Sequence, residues 1–563
     1  MDKRSLVALA LIALVIIGGQ LLMPRAPELA VAVDSTGRSA ASPAPEAPTR
    51  DSARASSVSS RPTVSATRSA STAKTIAARP ETVTVSQANR VAQFVSTGAV
   101  PSVVTLSEYR DLKRRTGALA ITATNGSLLR YRIISGVDTI ALDDIAFTTT
   151  HTGATAEFVS RSPDVRVKYD VAPDRYITHV NLTLGGALPG ATLLIDLAPA
   201  LRSGEADTTE DLRQLAYGFK RAKGDVESVA LPKLDSTKFI IEPGPLEWVA
   251  IRNKYFVFAV MPTDTTRGFS DLTLRGGHRG LDGFPRGIAS ASLPLPATGV
   301  AFDLFTGPQS WTVLRAVGRD MDHVNPYAGW AWLRPAVEPF ATIVMRLLLG
   351  LKAAVGLSYG WVLVIFGVAI RLLLWPLNQS AMRTSIKMQR LQPELTVLQK
   401  KYAKDPEAQR QAMVKLYQAH NMSPFSPLMG CLPMLLPMPI LFALYFVFQN
   451  TIEFRGVQFL WLPDISLRDP YYITPILMGV SMLVLSWIGM RAAPPNPQAK
   501  IMGYMMPAMF TIMFLNFASG LNLYYAVQNL VAIPQQWLLS RERANAAGGT
   551  SAAKGPATPK PQR

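Results

Sequence analysis

The sequence predicts a polytopic α-helical membrane protein with six spans, a large β-sandwich domain outside the membrane and a cytoplasmic helical hairpin. Three observations carry this reading: six apolar segments of near-spanning length, a long stretch of short alternating runs, and a lopsided distribution of lysine and arginine. The chain has 563 residues, 48% hydrophobic and 17% charged, with a formal net charge of +18. At that length one core is too few.

The first apolar segment, Ser5 to Met23, follows the basic start MDKR and is long enough to cross a bilayer. We assign residues 1–23 as a membrane anchor. A signal peptide cleaved after Ala30-Val31-Ala32 is the competing reading. Residues 24–80, rich in Ala, Pro, Ser, Thr and Arg without an apolar period, read as a disordered tether.

From 81 to about 330 the pattern changes to β-branched, alternating runs punctuated by Gly, Pro, Asp and Asn. Examples are TVTVS at 82–86, YITHVNLTL at 176–184, and the pair WVAI at 248–251 and YFVFAV at 255–260 joined across Arg252-Asn253-Lys254. Such spacing indicates an antiparallel sandwich. His179 in an alternating strand reads as a surface or half-buried residue instead of a general base.

Residues 336–355 carry apolar residues at helical spacing around Arg346 and Lys352. That is too charged to span comfortably and predicts an amphipathic helix lying in the interface. A core helix of the β domain is the alternative. Span 2 is 356–377 and spans 3–6 occupy 428–540, as Leu428–Phe448, Tyr471–Met490, Ile501–Phe517 and Leu521–Leu539.

Loop charge orients these segments. Residues 378–427 carry eight Lys/Arg against three acids, whereas 451–470 carry only Arg455 and Arg468, also against three acids. Positive-inside counting puts 378–427, 491–500 and both termini, including the basic tail 541–563, in the cytoplasm. Within 378–427, Arg383 to about Ala403 predicts one helix. Asp405-Pro406-Glu407 then supplies an N-cap, a first-turn proline and a first-turn acid for a second, ending near His420. The basic residues of this hairpin, Arg383, Lys387, Arg390, Lys400 and Lys401 among them, suit anionic headgroups, nascent chains or ribosomal RNA. A merely solvated face is the bland reading.

Arg371 stands alone in the apolar run of span 2. A charge at that depth costs about 2.5–3.5 kcal/mol, so such residues usually face a polar cavity or a partner. Snorkelling competes, because Leu377 is only about 9 Å further along at ~1.5 Å per residue. On the last span Asn522, Tyr525, Asn529 and Gln536 share one face. Taken with Arg371 they suggest the wall of a hydrated cavity, though helix-to-helix glue explains any one of them. Twelve of the 20 methionines fall in 422–513, and flexible methionine surfaces suit varied apolar clients.

Catalytic chemistry finds little support. Gly356-Leu357-Ser358-Tyr359-Gly360 matches the G-x-S-x-G elbow, but it opens a membrane helix and lacks nearby histidine. The single cysteine, Cys431, and five scattered histidines give no metal-ligand spacing, and no phosphate-binding loop occurs. We expect no catalytic residue, no metal and no cofactor.

At 340–540 the chain resembles the YidC-type membrane protein insertases of Gram-negative bacteria. The matching blocks are IRLLLWPL at 370–377, MQRLQPE at 388–394, LYQAH at 416–420, MGCLPMLLPMPILFALY at 429–445, DPYYITPILMGVSM at 469–482 and SGLNLYYAVQN at 519–529. The run 248–262 is similar to a strand pair of that family's periplasmic domain. The resemblance implies a periplasmic β-supersandwich over 81–330, an uncleaved first span, and a five-helix core with a groove open to cytoplasm and lipid. It makes Arg371 the groove arginine and Tyr525 a client-contacting aromatic. It differs at Gly367, where some relatives carry a polar residue. The implied activity is energy-independent insertion of nascent membrane proteins into the inner membrane, alone or with the Sec translocon and its accessory subunits. The ribosome and anionic lipids are further partners, without specific nucleic-acid readout. A small-solute transporter with an extracytoplasmic sugar-binding domain is the rival, disfavoured because the spans show no internal duplication. A membrane-anchored carbohydrate-active enzyme would need paired carboxylates in the β domain, and the sequence locates none.

Overall fold

The computed structural model describes residues 80–173, 176–186, 188, 190–264, 268–325, 334–376, 405–419, 438–491 and 497–551, with scattered positions between 379 and 402. The predicted anchor and nearly all of the predicted tether lie outside the described residues, as do the basic positions Arg383, Lys387, Arg390 and Lys400.

Alternation builds the β domain. In strand Asp164–Val171 the even positions are charged and exposed, while Val165, Val167, Tyr169 and Val171 are buried. A two-residue period puts each set on its own face. Thr82–Ser86, Arg90–Val95, Val100–Arg110 and Ala118–Thr122 pair in order as a four-stranded antiparallel sheet. The remaining fourteen strands form one larger sheet. The two sheets share a core in which Phe94 lies 4.5 Å from Tyr169, whose hydroxyl donates to the Ala99 carbonyl at 2.6 Å. Strand Phe256–Pro262 is buried at every position, which explains its unbroken apolar run.

The predicted pair at 248–260 is an antiparallel hairpin, with Val249 opposite Val260. Asn253 shapes its turn: Oδ1 accepts from the Tyr255 and Phe256 amides at 3.2 and 2.8 Å. The Lys254 amide donates to Asp211 Oδ1 at 3.0 Å, so the turn is fully buried without orphaned amides at those positions. His179 lies on the surface beside Asp303 at 2.6 Å.

Helix Arg334–Val355 ends at Gly356, whose φ of +71° is the left-handed geometry that stops a helix and that glycine adopts without strain. The next helix, Tyr359–Leu373, leaves at 116°. The G-x-S-x-G match therefore forms the corner between two helices, with Ser358 at the N-cap position, and has no strand before it. The helix at the predicted span 2 begins three residues after the expected start, because Gly356 bends the chain.

Further helices are Met438–Asn450, Ile473–Arg491, Pro497–Phe514 and Ser519–Ser551. The last helix packs on both Tyr359–Leu373 and Ile473–Arg491, and Arg334–Val355 packs on Met438–Asn450. Among the described residues, Ile473–Arg491 is the one straight helix both long and apolar enough to cross a bilayer by itself. Helix Pro406–Ala419 starts at the predicted cap: Asp405 Oδ1 accepts from the Glu407 and Ala408 amides, each at 3.0 Å. Its Tyr417 packs with Leu391 and Leu395 from the preceding arm.

The β domain is bolted to the helices through the connection after Asn450. Arg455 Nε donates to Glu205 Oε1 and Oε2 at 2.9 and 2.8 Å, and both side chains are about 95% buried. Burial pushes the Glu205 carboxyl up to about 7, against the pull of the Arg455 guanidinium. Ser310 donates to Glu453 at 2.9 Å, Gln449 donates to Glu210 at 3.2 Å, and Ile452 enters the β-domain core. His323 Nε2 lies 2.7 Å from Glu338 on helix Arg334–Val355.

Candidate functional site

Arg371 occupies the last turn of Tyr359–Leu373, where unpaired helix carbonyls favour a cation. Its side chain crosses to the last helix: Nη2 donates to Gln535 Oε1 at 3.0 Å. Gln535, 2% exposed, donates from Nε2 to the Trp375 carbonyl at 3.2 Å. The amide thus ties the arginine to the backbone just beyond its own helix. Arg371 Nε has no hydrogen-bond partner among the described residues, and the side chain is half-buried.

One turn-pair up the same face, Gln528 Nε2 donates to the Gly367 carbonyl at 3.0 Å and lies 2.9 Å from the Tyr524 hydroxyl. Gly367 permits this approach. A Cβ there would sit 3.2 Å from Val527 Cγ1, tighter than ordinary contact. Glycine at this position therefore serves helix-to-helix closeness, and the polar group beside Arg371 comes from the facing helix instead.

The stripe singled out in the sequence points elsewhere. Asn522, fully buried, donates to the Phe514 carbonyl at 3.1 Å. The Tyr525 ring packs edge-on against Phe514 at 5.7 Å, and its hydroxyl has no partner among the described residues. Asn529 donates to the Met478 carbonyl at 3.3 Å and to Ser481 Oγ at 3.2 Å. These three face Ile473–Arg491 and Pro497–Phe514, where they act as glue between helices. The expectation that they face Arg371 is corrected: Tyr524, Gln528 and Gln535 do. At about 100° per residue, those three sit roughly a third of a turn round the helix from Asn522 and Asn529. Both stripes are visible in the sequence, but nothing local ranks them. Of the predicted hairpin contacts, Lys401 is described; it is exposed, with its ammonium 5.5 Å from the Tyr402 ring.

A helical unit with an arginine tied between two of its helices is thus joined to a β-sandwich domain. Residues 350–546 match the 60Kd inner membrane protein family, and residues 165–340 match the YidC periplasmic domain. A membrane protein insertase YidC of Chlorobaculum tepidum is 30% identical, over 99% of this chain and 98% of that protein. Another, from Nitratidesulfovibrio vulgaris, is 35% identical over 55% of this chain and 56% of its own length. The crystal structure of YidC from Thermotoga maritima aligns over 80% of this chain and 98% of that one, at 15% identity and a TM-score of 0.30. The chain belongs to the YidC family of membrane protein insertases.

Proposed function

We propose that this insertase passes hydrophobic segments of nascent membrane proteins from the cytoplasm into the inner membrane along the helix face that holds Arg371. The observation that carries the reading is the arginine itself: half-buried, tied at Nη2 to Gln535, and without a carboxylate partner among the described residues. A guanidinium so held is a fixed positive charge that can meet an acidic residue in a translocating tail. Apolar contact between the client helix and lipid then drives release into the bilayer.

The arrangement we assign is six spans with both termini in the cytoplasm, the first at 1–23, a tether over 24–80, and the hairpin 378–427 on the cytoplasmic side. The hairpin, through Arg383, Lys387, Arg390, Lys400 and Lys401, would receive clients from the ribosome or rest on anionic headgroups. Asn522, Tyr525 and Asn529 belong to the wall behind the groove, holding the last helix to its neighbours. The chain would act alone on short clients and beside the Sec translocon on larger ones.

Reconstitution of the purified chain in liposomes tests this. A short single-span client should insert without nucleotide or other proteins. Failure of every such client with correctly folded protein would overturn the reading.

A further inference from the structure

We propose that the loop joining strands Val100–Arg110 and Ala118–Thr122 is a docking surface for anionic phospholipid headgroups of the periplasmic leaflet. Its sequence, RDLKRRTG at 110–117, places Arg110, Lys113, Arg114 and Arg115 beside a single acid. All four cations are exposed. Asp111 does little to neutralise them. Its one ion pair among the described residues, to Arg114, is 3.9 Å long, with the arginine side chain 81% exposed. Asp111 instead shapes the loop, accepting from the Arg114 amide at 2.8 Å.

Placement ties this loop to the helical unit. Arg455 Nη2 donates to the Arg110 carbonyl at 2.8 Å, and Leu112 reaches within 3.6 Å of where a Cβ on Gly456 would stand. On the β-domain side the Leu112 and Lys113 amides both donate to the Gly204 carbonyl, at 2.9 and 3.0 Å. The Tyr109 ring packs edge-on against Phe256 at 5.4 Å, and the Arg455 guanidinium covers the same Phe256. The loop is therefore gripped from both sides at the level of Arg455 and Gly456, just past the end of helix Met438–Asn450. The same connection exposes Leu460 and Tyr471, at 68% and 67%, the kind of apolar and aromatic residues that mark a membrane interface. With Arg110, Leu112 and Lys113 held by backbone contacts, the loop presents its four cations to the phosphate layer, where each gains from the negative surface potential. Two sets of contacts fix the loop, so little ordering entropy opposes the docking.

The test uses the full chain with Cys431→Ser and Thr116→Cys, carrying a fluorophore at 116, in a background first shown to insert clients normally. It is reconstituted into vesicles of phosphatidylcholine alone or mixed with phosphatidylglycerol, each containing a headgroup-nitroxide lipid as quencher. Quenching should rise about twofold in the anionic vesicles. It should fall back in about 1 M salt, where the Debye length is about 3 Å. A variant with Arg110→Gln, Lys113→Gln, Arg114→Gln and Arg115→Asn should show the phosphatidylcholine value in both vesicles. Asparagine is used at 115 because φ there is +59°. The variant's circular dichroism and melting curve must match the parent. Equal quenching in both vesicle types, or equal quenching by the parent and the folded variant, would overturn the proposal and leave a solvated loop or an acidic protein partner.

Discussion

Arg371 Nη2 and Gln535 Oε1 lie 3.0 Å apart, and the same Gln535 amide holds the Trp375 carbonyl, so one side chain sets both ends of the arginine's last turn. Two substitutions separate charge from position. Gln535→Glu puts a carboxylate on Arg371 and should reduce insertion of clients with acidic tails, to about a tenth if ~1.4 kcal/mol of attraction is lost. Gln535→Leu leaves the charge in place but strands two buried hydrogen bonds. It should cost about 1–3 kcal/mol of stability while lowering acidic and acid-free clients alike. Paired liposome assays read the difference; equal effects of Glu and Leu would remove the charge from the account.

Removing the charge itself should give the same selectivity. Arg371→Ala is expected to insert acid-free clients normally and acidic-tail clients about tenfold more slowly. Arg371→Lys should stay close to the parent, so it is a control and not a test. Translocon-independent clients are required. Equal insertion of both client types by the alanine variant would restore the snorkelling role.

The Arg455–Glu205 pair should behave as a buried ion pair. Arg455→Leu leaves a buried carboxylate without its partner and should lower stability by about 3–5 kcal/mol, and Glu205→Leu added to it should recover most of that. Burial raises the Glu205 carboxyl to about 7, so the folded state takes up a proton more readily than the unfolded state. Without the guanidinium the carboxyl is raised further, so the penalty in Arg455→Leu should shrink as pH falls toward about 7 and level off below it, as denaturant melts of the full chain would register. A loss independent of pH, or no recovery in the double variant, would contradict the assignment.

His323 should shift stability with pH in the same direction. Its pKa is raised, first by its hydrogen bond to Asp322 and further by the charges of Asp322 and Glu338. A histidine raised in the folded state stabilises fully below its unfolded value, ~6.5, and loses that contribution as pH climbs through the folded value. Protection of helix Arg334–Val355 in hydrogen exchange should thus weaken across that window in the parent. His323→Gln should flatten the dependence. An unchanged slope in the variant would assign it to other groups.

Client insertion should survive loss of the β domain, because Arg371, Gln528 and Gln535 all lie in the helical unit. Deleting 90–320 uncovers Ile452, Glu453 and Arg455, so some loss of stability is expected beside retained insertion. Complete loss of insertion at normal membrane levels would show that the sandwich takes part in the transfer.

Much of this molecule is written in local pattern. The alternation DVRVKYDV gives a strand because a period of two separates its faces, and Asp405-Pro406-Glu407 starts a helix because an Asx side chain caps free amides. Arg371 stands out for an equally local reason: it is alone among apolar residues. The partner of that arginine was not legible. The last helix carries two polar stripes, Asn522/Tyr525/Asn529 and Tyr524/Gln528/Gln535, and periodicity specifies faces without saying which neighbour each will meet. Nor could spacing foretell Glu205 and Arg455, 250 residues apart, whose pairing exists only once the segment after Gly204 and the connection after Asn450 are brought together. Sequence alone determined which segments fold and where the lone charge stands. Tertiary packing decided what that charge touches, because burial and contact are properties of two surfaces meeting.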